Sequence, residues 1–224
     1  MRTDDLIDRL GRDVTVARPL PAPGMRTAVW MVWALSYLVV VAMMMFAVMS
    51  SAGVAPTQLY LVQQGAALVT GIVAARAAFA SVIPGANNRV WMMPAIGAGV
   101  WGLSLLWAGV LDLQAVGTLG VTSQSDWPCV ASMTVGGLVV GAPLAWMLRR
   151  GAPLTPRLTA FLAALAALSV ANIEACLTRP HAFALTVLLW HGGTVAALAA
   201  LCTLMGYRWL RWPDMTTQRE RRSL

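Results

Sequence analysis

Six long apolar runs separated by short polar breaks dominate the chain: 28–49, 58–83, 90–111, 128–148, 158–177 and 183–207. A hydrocarbon core of about 30 Å needs roughly 20 apolar residues in a helix, and each run supplies them. The pattern predicts an all-α, polytopic integral membrane protein with six transmembrane helices. It divides the chain into an N-terminal segment 1–26, a six-helix domain 27–210 and a basic tail 211–224.

The first 26 residues follow a different pattern. Thr3 is placed as an N-cap, Asp4 and Asp5 suit the positive end of a helix dipole, and Leu6, Ile7, Leu10 and Val14 recur at helical spacing. These features predict a short amphipathic helix over 3–14, with Asp8 extending its acidic edge. Pro19, Pro21 and Pro23 then form a stiff spacer before the first span. Such a helix fits either a groove on a basic partner or the membrane surface, and the residues leave both open.

Composition agrees with the pattern: 58% of residues are apolar, 11% charged, and mean hydropathy is +0.69. That excludes an ordinary soluble domain. A net charge of +7 would fit a nucleic-acid binder, but all sixteen basic residues are arginines, clustered between the runs rather than along one face. With both termini inside, every arginine except Arg76 and Arg179 falls on the cytoplasmic side, so the positive-inside rule predicts an N-in, C-in topology. The first run has no small-residue cleavage site after it and is expected to remain in the protein. Trp30, Trp33, Trp91, Trp127, Trp209 and Trp212 lie near predicted ends, where indoles anchor at headgroups.

Most individual features have a structural explanation. Arg76 lies about two turns inside the second run and is expected to snorkel to the cytoplasmic surface. Met43, Met44 and Met45 point to different sides of a helix and read as apolar packing, not a copper path. Gly97, Gly99, Gly102, Gly137 and Gly141 are expected to admit close helix contact. Cys202 is expected to be a buried small hydrophobe, His191 a packing residue held by an interhelical hydrogen bond, and Glu174 an interfacial acid paired with Arg179 or solvated. The absence of lysine and of recognised catalytic motifs argues against an enzyme.

Cys129 opens the fourth run and Cys176 closes the fifth, so antiparallel helices would bring both thiols to the outer face. They could form a functional pair or be two unrelated interfacial thiols. With His181 they also have the chemistry of metal ligands, although no tight ligand spacing supports a site.

The run Leu148-Arg-Arg-Gly-Ala-Pro-Leu-Thr-Pro-Arg157, followed by Cys176, Phe183, Trp190 and Leu210-Arg-Trp212, resembles the NrsF-type family of membrane anti-sigma factors. The opening decapeptide Met1 to Leu10 is similar to that family's N-terminus. The resemblance implies a bacterial inner-membrane protein that sequesters an extracytoplasmic-function sigma factor and releases it on an outside signal, without contacting nucleic acid itself. It implies sigma binding through Asp4, Asp5, Leu6, Ile7, Asp8 and Leu10, and sensing of redox or heavy-metal stress through Cys129 and Cys176. No cofactor is implied; a metal enters only as a signal. Ala175 and Trp190-His191 stand where the family pattern has a histidine and a Trp-Tyr pair, which bears on metal coordination more than on thiol chemistry.

A small transporter or channel for a metal or organic solute is the rival reading. It predicts ionisable groups at mid-depth in several spans and inverted repeats, whereas the sequence offers little beyond Arg76 and His191. A structural partner in a membrane complex is a third reading.

Overall fold

The computed structural model describes residues 20–48, 57–83, 85, 89, 91–117, 127–151, 155–178 and 183–209. Five continuous helices come first: α1 (Pro23–Val48), α2 (Gln58–Ala80), α3 (Met92–Val116), α4 (Trp127–Arg149) and α5 (Pro156–Thr178). A sixth, α6, starts at Ala184–Val187, widens into a π-helical turn at Leu188–Gly192 and continues as Gly193–Trp209. All six are long and apolar enough to cross a membrane, and no strand occurs among the described residues. The predicted helix over 3–14, Arg179, His181 and the tail 211–224 lie outside the described residues.

Local chemistry explains where the helices start and stop. Pro23 and Pro156 are first residues of α1 and α5, where a missing N–H costs no intrahelical bond. Thr57 caps α2 by accepting from the Tyr60 amide at 3.2 Å. The third helix runs past the expected 111 to Val116 and stops at Gly117, whose φ of 73° is left-handed. Asp112 consequently sits on a helix rather than in a loop.

Helix α5 is the centre of the bundle and packs against α1, α2, α4 and α6. Its small residues, among them Ala166, Ala167 and Ala171, are buried and let the neighbouring backbones come close. The outside is apolar as well: Phe46, Leu138 and Leu204 are among the most exposed side chains, as expected where lipid replaces water. Two expectations change for this reason. Cys202 is exposed on α6 rather than buried, and Met43 and Met44 face outward instead of packing inside.

The described arginines gather at one end of the bundle, where α1 begins and α2, α4 and α6 end. Arg76 is exposed there, four residues before α2 ends. Arg26 differs from the others: it is buried, its Nη2 donates to the Met147 carbonyl, and its guanidinium lies 4.4 Å above the Phe79 ring. It thereby joins α1, α2 and α4. At the same end Ser81 and Thr159 hydroxyls are 2.7 Å apart, linking α2 to α5.

Trp30 is 1% exposed and anchors helices rather than headgroups. Its Nε1 donates to the Val140 carbonyl at 3.0 Å, and Trp33 Nε1 donates to the Val139 carbonyl at 3.2 Å. For Val139 the cause is Pro143 inside α4. Proline has no N–H for the carbonyl four residues back, which is that of Val139, and its ring pushes that turn open. Two tryptophans one turn apart on α1 supply the donors.

Candidate thiol and polar site

The end of the bundle opposite the arginines holds the thiols. Cys129 lies in the first turn of α4, Cys176 in the last turn of α5, and both are buried. The antiparallel register follows from side-chain contacts. Ser132 Oγ donates to Glu174 Oε1 at 2.6 Å, and Gly136 lies against Ala171, so Cys129 falls level with the final turn of α5. Both cysteines are thiols rather than a disulfide.

Around Cys176 the helices converge on polar groups. His191 Nδ1 lies 3.8 Å from its sulfur and 2.9 Å from Asn172 Oδ1, while Gln64 of α2 faces the thiol. Asn172 and Cys176 are four residues apart and share one face of α5. His191 reaches them from the π turn, whose extra residue rotates the ring into the bundle. Its expected interhelical hydrogen bond is present, but its nearness to Cys176 was not legible. The one available sequence signal was Gly192-Gly193, a pair that weakens regular helix beside the histidine.

Glu174 projects from the other side of α5. It is 7% exposed, so it is not a solvated acid: Ser132 holds Oε1, while Oε2 is buried without a hydrogen-bond partner. Tyr37 of α1 comes close, since a Cβ on Gly136 would lie 2.8 Å from both Glu174 Oε2 and the Tyr37 hydroxyl. Gly136 is what makes room for the acid. Gln64 Oε1 and Asn172 Nδ2 are also buried without partners, so three polar atoms near the thiols have unmet capacity.

The rim of the site is fixed from two directions. Asp112 Oδ2 of α3 accepts from the Ala184 amide at 3.0 Å and caps α6, whose own N-cap residue, Phe183, offers no side-chain acceptor. Trp127 and Trp190 rings meet edge to face at 6.2 Å beside Cys129 and His191. Among the described residues no group of three His, Cys, Asp or Glu side chains is disposed to hold a metal ion. Thiol chemistry needs no such group, and burial means that only a small reagent or a local opening brings it about.

These features define a multi-pass helical membrane protein with two buried thiols at one end and arginines at the other. The chain belongs to the NrsF family, described as negative regulator of sigma F, whose model matches residues 10–212. It is a negative regulator of a sigma factor by that membership. Comparison with curated proteins and with solved structures returned no match.

Proposed function

We propose that the chain is an anti-sigma factor of the bacterial inner membrane, with its arginine end in the cytoplasm. Its 1–26 segment holds an extracytoplasmic-function sigma factor through Asp4, Asp5, Leu6, Ile7, Asp8 and Leu10. A signal reaching Cys129 and Cys176 from outside releases it. The chemistry is oxidation of two thiols to a disulfide, with two protons and two electrons passing to a two-electron oxidant, or capture of a soft metal ion by the same sulfurs with His181.

The observation that carries the reading is the grip on Arg26. The last residue of the proposed sigma-binding segment is fastened to the Met147 carbonyl near the end of α4, and the opposite end of α4 carries Cys129. A shift of α4 against α5 at the thiols is therefore felt where the N-terminal segment joins the bundle. The two packings must differ in free energy for a signal to move the balance.

Co-purification from membranes tests the contact. The full chain is expected to retain a sigma factor, and Leu6→Asp or Asp8→Arg to lose it while the membrane domain still accumulates. Retention by both variants would show that the segment is not the docking element. Cys129→Ser and Cys176→Ser should each leave target genes unresponsive or constitutively altered; a wild-type response from both would remove the thiols from sensing.

A further inference from the structure

Helices α4, α5 and α6 leave a groove of about 460 Å³ on the flank of the bundle. Its lining is almost wholly apolar, with Ala142 and Ala145 from α4, Ala160 and Ala164 from α5, and Cys202 and Met205 from α6. Small residues alone indicate only room for another chain or a lipid. The arginines at the end of the groove are more informative.

Residues three or four apart share a helix face. Arg149 follows Ala145 by four, Arg157 precedes Ala160 by three, and Arg208 follows Met205 by three. Each of the three helices thus continues its groove-lining stripe into an exposed arginine one turn further on. The three lie at the same end, because Gly206 abuts Ala160 and the Pro156 carbonyl, and Arg149 ends α4 as Pro156 begins α5. Among the described residues the acids are Asp112 and Glu174, both toward the opposite end.

We infer that the groove holds an acyl chain of an anionic phospholipid, with its phosphate seated among Arg149, Arg157 and Arg208. A trough lined almost wholly by apolar side chains argues against a free phosphate as the main ligand, and three arginines at its end favour an anionic head group over a zwitterionic one. Basic pockets between transmembrane helices recognise anionic lipids in this way, and the guanidinium fork fits phosphate oxygens. Arg149 and Arg157 also make contacts within the chain, but a guanidinium has five N–H donors and can serve both.

Native mass spectrometry of the detergent-purified full chain tests this, with phosphatidylglycerol and phosphatidylcholine of identical acyl chains as probes. Phosphatidylglycerol is expected to be retained at least about tenfold more strongly, because basic residues at a membrane surface attract anionic head groups. The preference should vanish when Arg149, Arg157 and Arg208 are all changed to Gln. Ala142→Phe, which fills the groove from an exposed position and leaves the arginines in place, should weaken retention of phosphatidylglycerol. Equal retention of the two lipids, or an undiminished preference in the triple variant, would overturn the head-group site. Unchanged retention in Ala142→Phe would overturn the groove, and a dimer abolished by Ala142→Phe would assign it to a second copy of the chain.

Discussion

His191 Nδ1 stands between Cys176 Sγ, 3.8 Å away, and Asn172 Oδ1, 2.9 Å away, so one ring nitrogen faces both an amide and a thiol. When Nδ1 carries its hydrogen it donates to Asn172 and has nothing to offer the thiol. When the hydrogen is on Nε2, Nδ1 can accept from Cys176 instead. Asn172 therefore competes with the thiol for the histidine. Asn172→Ala is expected to speed severalfold the reaction of Cys176 with a small methanethiosulfonate, which forms a mixed disulfide as methanesulfinate leaves, followed by mass spectrometry in a Cys129→Ser, Cys202→Ser background. Adding His191→Phe should abolish the gain; a gain that survives would mean that the substitution merely opened the site.

The α1–α4 contact yields a stability prediction. Trp30→Phe removes the donor to Val140 O and leaves a small void in the most buried part of the bundle. A loss of about 1–3 kcal/mol is expected in detergent unfolding. Trp33 is half exposed, and its bond depends on the carbonyl that Pro143 releases. In a Pro143→Ala background that carbonyl regains an amide, so Trp33→Phe should matter less there than in the parent. A double-mutant cycle with no coupling between positions 33 and 143 would refute this account.

Glycines separate by what faces them. A Cβ on Gly97 would collide with Thr70 Oγ1 of α2, whereas one on Gly99 meets nothing within 4 Å. Gly97→Val should lower the unfolding midpoint clearly, by about 1–3 kcal/mol of overpacking. Gly99→Ala should leave it unchanged or raised, since alanine is the better helix former by roughly 1 kcal/mol. Equal effects at the two positions would contradict the packing seen between α2 and α3.

The contrast between Gly97 and Gly99 also shows which parts of the molecule were legible in the sequence. The six spans were, because hydrophobic length against bilayer thickness is a one-dimensional property. Depth was legible too: Cys129 and Cys176 lie at the same end of the bundle, as an antiparallel hairpin requires. Rotation about each helix axis was not. A membrane helix is apolar all round, so nothing in the text marks its buried side. That is why Gly99 and Gly102 read like Gly97, why Cys202 read as buried, and why Trp30 read as a headgroup anchor. Burial of Arg26 and Glu174 was hidden for the same reason. The convergence of His191 on Cys176 depends on a π turn for which the sequence offers only a glycine pair.

Glu174 sets up the last prediction. Ser132 Oγ donates to one carboxyl oxygen at 2.6 Å, while the other is buried beside Tyr37 with no partner. A buried polar atom left unsatisfied costs about 1–3 kcal/mol. Glutamine keeps the shape, lets its carbonyl accept from Ser132, and puts an uncharged amide in place of the unsatisfied carboxyl oxygen beside Tyr37. Glu174→Gln is expected to raise the unfolding midpoint, by about 1 kcal/mol or more. Glu174→Ala should lower it, because it empties the space that Gly136 leaves and strands Ser132. If stability alone is affected, both variants will respond to the inducing signal like the parent. If the acid helps hold α4 against α5 in one of two packings, Glu174→Gln will be the more stable protein and the less inducible one. Measuring unfolding midpoint and target-gene induction on the same variant distinguishes these outcomes, and a Glu174→Gln protein less stable than the parent would refute the unsatisfied-oxygen argument.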